Sequence, residues 1–439
     1  MLARSVILNV LGQVATLLLG LIGSVALARW LGPSDRGLLG IMISAVELGM
    51  AVGALGLPFA VMYYASRVDP PTRQLLGNSL AYGALLAIAA VAGAWLLKEP
   101  LADALGHGRG GDAWILVGVL LAITFLDWTT HNQLIGQLRF GLFNILVVLS
   151  KVASVTAIVV LVGALDLGVA GGLLATGAGS LVFMLGALRV IIRAGAPRLD
   201  LALLRQMLAY GRRVQVGSIF QIANSRLDVL ILQFFQPLSQ VGYYVVAQAM
   251  AELVLVLGRS FQSSVLPLVA RYEGQERQAL TTESSLRHHG ILASGATLAN
   301  AGIGSLLIVF AFGPSFHPAV LPMLIILPGM WFLSTGAVVA GDLRGRGRPG
   351  ASSALAGGAV AVTVVLDLAL IPSLGVPGAA IASVVAYTVY GVSSLVVLAR
   401  VSGIPLRRLT LPTRADLTLY RDVAGRALTR LRRGGAEPQ

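Results

Sequence analysis

The sequence predicts an all-α polytopic membrane protein, with twelve transmembrane helices in two pseudo-symmetric six-helix bundles. Three observations carry this. Apolar residues make up 56% of the chain and charged residues only 12%, with mean hydropathy +0.84; a soluble domain carries about a quarter charged residues. Apolar runs of about 20 residues recur almost without a break, enough for a helix to cross ~30 Å of hydrocarbon. Residues in the first half also find partners in the second half at a nearly constant offset. Lipid cannot satisfy free backbone groups, so the runs must be helices; they lack the alternation of barrel strands.

In chain order, the spacing predicts helices over residues 6–27, 38–64, 75–97, 113–134, 140–162, 169–192, 214–235, 241–268, 291–312, 319–340, 352–371 and 377–398. The first is too long for a signal-peptide core and lacks a cleavage site, so it reads as a retained membrane helix. Ala28 to Arg67 organises the rest: a Gly-Pro-Ser-Asp-Arg-Gly hinge, an apolar span holding one acid (Glu47), then Tyr63, Tyr64 and Arg67. A weaker copy runs from Leu232 to Arg271. Gly37 matches Gly242 and Glu47 matches Glu252 at an offset of 205. Gly136, Leu138 and Arg139 match Gly341, Leu343 and Arg344 at the same offset, and residues 167–176 match 374–383 at 207. Six helices per copy is an even number, so both halves enter from one side and their axis runs along the membrane normal. This gives bundles over 1–195 and 214–400, a linker over 196–213 and a basic tail over 401–439.

Charge sets orientation. With the N-terminus inside, 25 of the 32 basic residues fall in cytoplasmic segments and 4 in outer loops. The net charge of +13 is then positive-inside bias and calls for no nucleic-acid partner. In the linker, Leu199, Leu203, Met207 and Tyr210 share one face, as expected of an amphipathic surface helix. In the tail, Leu417, Ala424, Leu428 and Leu431 form an apolar stripe among arginines, which suits anionic lipid headgroups.

The charges inside the spans are the candidate functional residues, because each costs at least ~2.5–3.5 kcal/mol to insert. Arg226 and Lys151 fall near mid-depth and Arg259 in the inner third. As substrate-binding residues they suit an anion, arginine above all, since its planar fork binds two phosphate oxygens. A purely structural alternative pairs Arg226 with Glu252 and Lys151 with Glu47, and lets Arg259 snorkel to the interface. Glu47, Glu252 and Asp228 are the cavity acids, poised for coupling to a proton or cation. Equally, the two glutamates could cap polar neighbours such as Asn9 or Gln248. Asp228 lies two residues from Arg226, on opposite sides of a helix, so the two cannot pair well. Asp127 reads as structural, Asp367 as a helix-end residue, and Asp35 and Arg36 as a turn.

Nothing points to catalysis. The chain has no cysteine and five histidines, without metal-ligand spacing or a nucleophilic triad. The glycine-rich patches lack the lysine-serine/threonine pair of a nucleotide loop. No cofactor is expected.

ARWLGPSDRG and the span ending LGLPFAVMYYASR resemble the first two helices of polysaccharide (O-antigen and exopolysaccharide type) flippases. NSRLDVLIL, VGYYVVAQAMAELV and VLPLVARY resemble their seventh and eighth helices; GDLRGRGRP and LDLALIPSLGVPGAAIAS resemble their eleventh and twelfth. The resemblance covers about residues 1–400. It implies the MATE-like fold of the MOP superfamily, two bundles around a central cavity, and non-enzymatic export of a polyprenyl-pyrophosphate-linked oligosaccharide by alternating access. The partners would be that lipid-linked glycan, membrane lipids, and a polymerase or glycosyltransferases; the location would be the bacterial inner or plasma membrane, with both termini cytoplasmic. A cation-coupled exporter of drugs or small molecules is the alternative of the same fold. It would want acids and aromatics where this chain has basic residues.

Overall fold

A computed structural model describes residues 2–271 and 275–413, together with Asp416 and Thr418. Among the described residues every regular element is helical, and ten helical stretches are long and apolar enough to cross a membrane. The difference from twelve has two physical sources. Helix α1 (Leu2–Gly53) is counted once, but Gly32 at φ 68°, ψ 178° breaks it in two. Glycine takes that positive φ without a Cβ penalty, and Pro33 behind it suits the first turn of a helix, where its missing N–H is not needed. The expected outer loop is therefore a one-residue kink. The second source is α8 (Leu201–Leu232), a 32-residue helix that carries Arg205, Arg212, Arg213, Arg226 and Asp228.

Between these lie α2 (Leu57–Ala65), α3 (Thr72–Leu96), the short α4 (Lys98–Gly106), α5 (Ala113–Gly136), α6 (Phe140–Ala157) and α7 (Gly168–Ile191). After α8 come α9 (Leu238–Ala251), α10 (Leu255–Arg271), α11 (Gln275–Ala299), α12 (Val320–Gly345), α13 (Pro349–Leu374), α14 (Val376–Ser402) and α15 (Leu406–Thr410). The chain forms two compact units. One comprises Met1–Ala249, Ser305–Met323 and Val360–Ala382; the other comprises Met250–Gly304, Leu324–Ala359 and Ser383–Gln439.

In the first unit, Leu57, Val61 and Tyr64 of α2, Leu75 of α3, Phe125 of α5 and Met207 of α8 are buried in one cluster. Of the linker expected over residues 196–213, residues 201–213 are the opening turns of α8, started by Asp200, which accepts from Leu203 N. Their apolar face meets protein, not lipid. Met207 is fully buried, while Leu199 stays exposed. Tyr210 stacks on Tyr63 with ring centroids 4.5 Å apart. The approach is close because Gly56, at φ 72°, lies against the backbone of Gly211. Met207→Ala should cost about 2–5 kcal/mol, the usual range for emptying a packed methionine site. Thermal unfolding and faster protease nicking near residue 200 would register it.

The repeat is visible in local geometry. Gly168 (φ 53°) and Gly375 (φ 60°) immediately precede or open α7 and α14. Three residues on, a Cβ at Gly171 would meet Leu167 Cβ at 3.0 Å, and one at Gly378 would meet Leu374 Cβ at 3.0 Å. The expected offset of 207 holds there. At the ends of α5 and α12 the offset of 205 does not hold. Arg139 N donates to Leu134 O with Leu138 at positive φ; Arg348 N donates to Leu343 O with Gly347 at positive φ. Gly136 therefore matches Gly345, and Arg139 matches Arg348, at an offset of 209. The helix end fixes the register; the shared GxLR letters do not.

At 205 the match is direct contact. A Cβ on Gly37 would lie 2.0 Å from Leu238 O, and one on Gly242 would lie 2.0 Å from Pro33 O. Pro33 and Leu238 are themselves 205 apart, so the contact is reciprocal, as across a two-fold axis. Flanking bonds repeat the relation approximately. Arg29 donates to the carbonyls of Ala311 and Phe310, while His107 bonds Gln233 O and Gln233 donates to Ala104 O. We call this the glycine seam.

The second unit has its own core of Val265, Val269, Leu343, Leu395 and Leu398. Asp342 accepts from Thr282 and from Arg346. Asp416 pairs with Arg287 at 2.9 Å and accepts from Thr413 N and Oγ1. Burial alone would raise the Asp416 carboxyl, but the Thr413 hydrogen bonds and the charges of Arg287 and His288 hold it below the usual range. The tail stripe expected at Leu417, Ala424, Leu428 and Leu431 lies outside the described residues.

Candidate functional site

Two groups of charges lie inside the first unit, on opposite faces of α8. On one face, Arg226 Nε donates to Glu47 Oε2 at 2.7 Å and Nη2 reaches Oε1 at 3.4 Å. This forked pair is only partly shielded, with side-chain exposures of 24% and 38%. Glu47 is thus held by Arg226, not by Lys151 as the structural alternative has it. Arg36 lies eleven residues before Glu47, about three turns, hence on the same face of α1. It is buried, within electrostatic reach of Arg226, and its Nε has no acceptor among the described residues. Arg36 was expected in a turn; the kink at Gly32 places it inside the helix instead. Its neighbour Asp35 accepts from Arg109 at 2.6 Å.

On the other face, Asp228 is fully buried. It accepts from Tyr244 Oη at 2.6 Å and Gln248 Nε2 at 3.3 Å, both on α9. One turn back, Asn224 Oδ1 accepts from Thr363 Oγ1 of α13 at 2.9 Å. One turn on from Thr363 stands Asp367, so the Asn224–Asp228 face of α8 meets the Thr363–Asp367 face of α13. Asp367 is fully buried and within electrostatic reach of Asp228, and neither of its oxygens has a hydrogen-bond partner among the described residues. Asp367 is thus not a helix-end residue: it sits seven residues inside α13. Two carboxyl groups, Asp228 and Asp367, thus lie buried on facing helices.

The remaining expected residues fall elsewhere. Lys151 is exposed on α6 and touches neither group. It sits roughly 120° round the helix from the exposed apolar stripe of Ile145, Leu149 and Val152. Arg259 is exposed on α10, and Glu252 is half-buried at the start of the 3-10 turn Glu252–Val254; both belong to the second unit. Gln248 serves Asp228 and the Ser225 carbonyl, so it is not a glutamate's cap. Asp127 pairs with His131 one turn on, as a structural residue would. Sequence reasoning missed Arg36 and Asp367. The available signals were an arginine four residues past a helix-breaking glycine, and an acid four residues past a threonine in an otherwise apolar run.

The sequence signature of the polysaccharide biosynthesis protein family matches residues 26–321. Over 191 residues the chain is 27% identical to the probable low-salt glycan biosynthesis flippase Agl15 of Haloferax volcanii, covering 42% of this chain and 40% of that protein. Over 189 residues it is 25% identical to the uncharacterized membrane protein MJ1068 of Methanocaldococcus jannaschii, covering 42% and 37%. The chain thus spans about two fifths of the length of the curated relatives it matches. The fold is similar to that of the lipid II flippase MurJ in an inward closed conformation (TM-score 0.72, 15% identity, 92% of this chain and 89% of that one). It is equally similar to an inward-facing multidrug resistance MATE family transporter of the MOP superfamily (TM-score 0.71, 16% identity, 90% and 96%). Those likenesses show the fold, the one that MurJ and the MATE proteins share, and the ten apolar helices long enough to cross a membrane make the chain a multi-pass membrane protein. With the family signature spanning well over half its length, the chain belongs to the polysaccharide biosynthesis protein family.

Proposed function

We propose that the chain is a flippase. It carries a polyprenyl-diphosphate-linked oligosaccharide from the inner to the outer leaflet of the cell membrane for surface polysaccharide synthesis, and performs no covalent chemistry. The N-terminus faces the cytoplasm. The observation that carries this reading is Arg36: a buried guanidinium within electrostatic reach of a second arginine, with one nitrogen lacking an acceptor among the described residues. A cation so placed costs several kcal/mol, and a diphosphate passing through would offset that cost. Arg226, tethered by Glu47, is the second donor, and Lys151 and Arg259 serve the cargo along the route. Family membership supports the cargo class. Inside-negative potential aids outward movement of negative charge by ~2.3 kcal/mol per charge per ~100 mV.

Coupling falls to Asp228 and Asp367 in this reading, since Glu47 is held by Arg226. Glycosyltransferases and a polymerase acting on the same glycan are the natural partners. The acid pair also suits a cation-coupled small-molecule exporter, and the assay separates the two. In proteoliposomes holding a fluorescent polyprenyl-diphosphate oligosaccharide, wild-type protein should expose it to an external quencher. Arg36→Gln and Arg226→Gln should each slow that exposure about tenfold to a hundredfold, as for loss of one charge-assisted hydrogen bond. Full rates in both variants, or no exposure by wild type alongside efflux of a cationic dye, would overturn the reading.

A further inference from the structure

Three arginines outside both groups converge on a cleft at the helix ends of the first unit. The cleft measures about 660 Å³ and is lined by Arg67, Arg139 and Arg193, with Ser66, Thr72 and Gln137 as further hydrogen-bonding groups. No acidic residue is among the lining residues. Asp69, two residues from Arg67, is exposed and outside that lining.

Each arginine is placed by the fold. Arg67 follows α2 and rests on Tyr64, its guanidinium carbon 4.4 Å from the ring centroid; this covers one face of the fork and leaves its N–H edge to donate. Arg139 is the N-cap of α6, set by the turn in which Leu138 takes positive φ. Arg193 lies in the 3-10 turn after α7. Helices α3 and α6 both begin at the cleft, and neither has a side-chain cap, so their dipoles add to the positive field.

The apolar lining identifies the kind of anion. Val68 is 98% exposed and Leu138 is 72% exposed. Large apolar side chains fully presented beside three arginines fit the bilayer interface, with the arginines at headgroup depth and the apolar side chains among acyl chains.

We propose that this cleft is a binding site for the phosphate group of a membrane lipid, distinct from the Arg36–Arg226 group. Bilayer phospholipid and polyprenyl-diphosphate carrier share that chemistry. The site does not depend on which cargo the protein transports.

The test uses full-length protein delipidated in neutral detergent, titrated with phosphatidylglycerol, a polyprenyl diphosphate, phosphatidylcholine or inorganic pyrophosphate, and read by native mass spectrometry. Phosphatidylglycerol, polyprenyl diphosphate or both should bind wild type and bind R67Q/R139Q/R193Q on the order of a hundredfold more weakly, from about one interfacial unit of binding energy per arginine. Whichever binds more tightly names the source. The three side chains are exposed, so the triple variant should fold; should it not, the single R193E gives the same comparison. Equal affinities in wild type and variant overturn the site. Phosphatidylcholine binding as tightly as the tighter of phosphatidylglycerol and polyprenyl diphosphate does too. Pyrophosphate binding as tightly as either lipid overturns its assignment to lipid.

Discussion

Gly37→Val should abolish translocation by opening the glycine seam within the first unit, while the apolar cluster around Met207 stays packed. A Cβ at position 37 would stand 2.0 Å from Leu238 O and 2.8 Å from Gly242 N. Both are backbone atoms and cannot swing aside as a side-chain tip would. Overpacking among movable side chains costs about 1–3 kcal/mol, and a clash of backbone against backbone belongs at or above the top of that range. About 3 kcal/mol moves a two-state population by roughly two orders of magnitude, so the seam would open and its flanking Arg29 and His107 bonds would be lost. The cluster around Met207 includes no residue of the seam. The chain contains no cysteine, so spin labels can be placed at Ser34 and Ser239 without background work. Wild type should give a short, narrow distance distribution and Gly37→Val a longer, broader one. Gly242→Val should reproduce that shift, and the double variant should add little, because both act on one contact. An unchanged distribution in either single variant would refute the seam.

Asp367→Asn is expected to separate function from stability. The native carboxylate makes no hydrogen bond among the described residues, so its removal takes away a desolvation cost and no hydrogen bond. The melting temperature should stay level or rise. The response of translocation to an imposed proton or sodium gradient should fall on the order of a hundredfold, the upper end of ordinary coupling energies. Asp228→Asn should differ. That side chain accepts from Tyr244 and Gln248 on Oδ2 and from Val229 N on Oδ1; an amide can accept on only one of those two atoms, so stability should fall by about 1–3 kcal/mol. Proteoliposome flux under opposed gradients and thermal unfolding of the same samples would test both. Gradient dependence surviving intact in Asp367→Asn would remove the acid pair from coupling.

The LGPSDRG stretch shows how far sequence reading reaches here. Its glycine and proline announced a break, and Gly32 and Pro33 make one. What followed was misjudged because a kink and a loop leave the same letters. A loop would expose Asp35 and Arg36, whereas a kink restarts the helix at once and turns Arg36 inward. Arg226 and Asp228 were correctly separated, since two residues along a helix point apart whatever surrounds them. Their partners were not legible: which helix faces α8 at a given height depends on tertiary packing, and Glu47, Tyr244 and Asp367 come from three different helices. The repeat is legible in its letters but its register is set by its turns, because a Schellman-like helix end constrains backbone more tightly than it constrains residue type. The charged tail remains a compositional expectation.

The reciprocal meeting of Gly37 with Gly242 has a consequence for the chain's history. A surface that accepts its own copy, with Pro33 O against one glycine and Leu238 O against the other, is what a symmetric pair of identical half-length subunits needs. Such a pair would require one gene only. Were two such copies joined head to tail, each could change elsewhere while the mating surface stayed common to both.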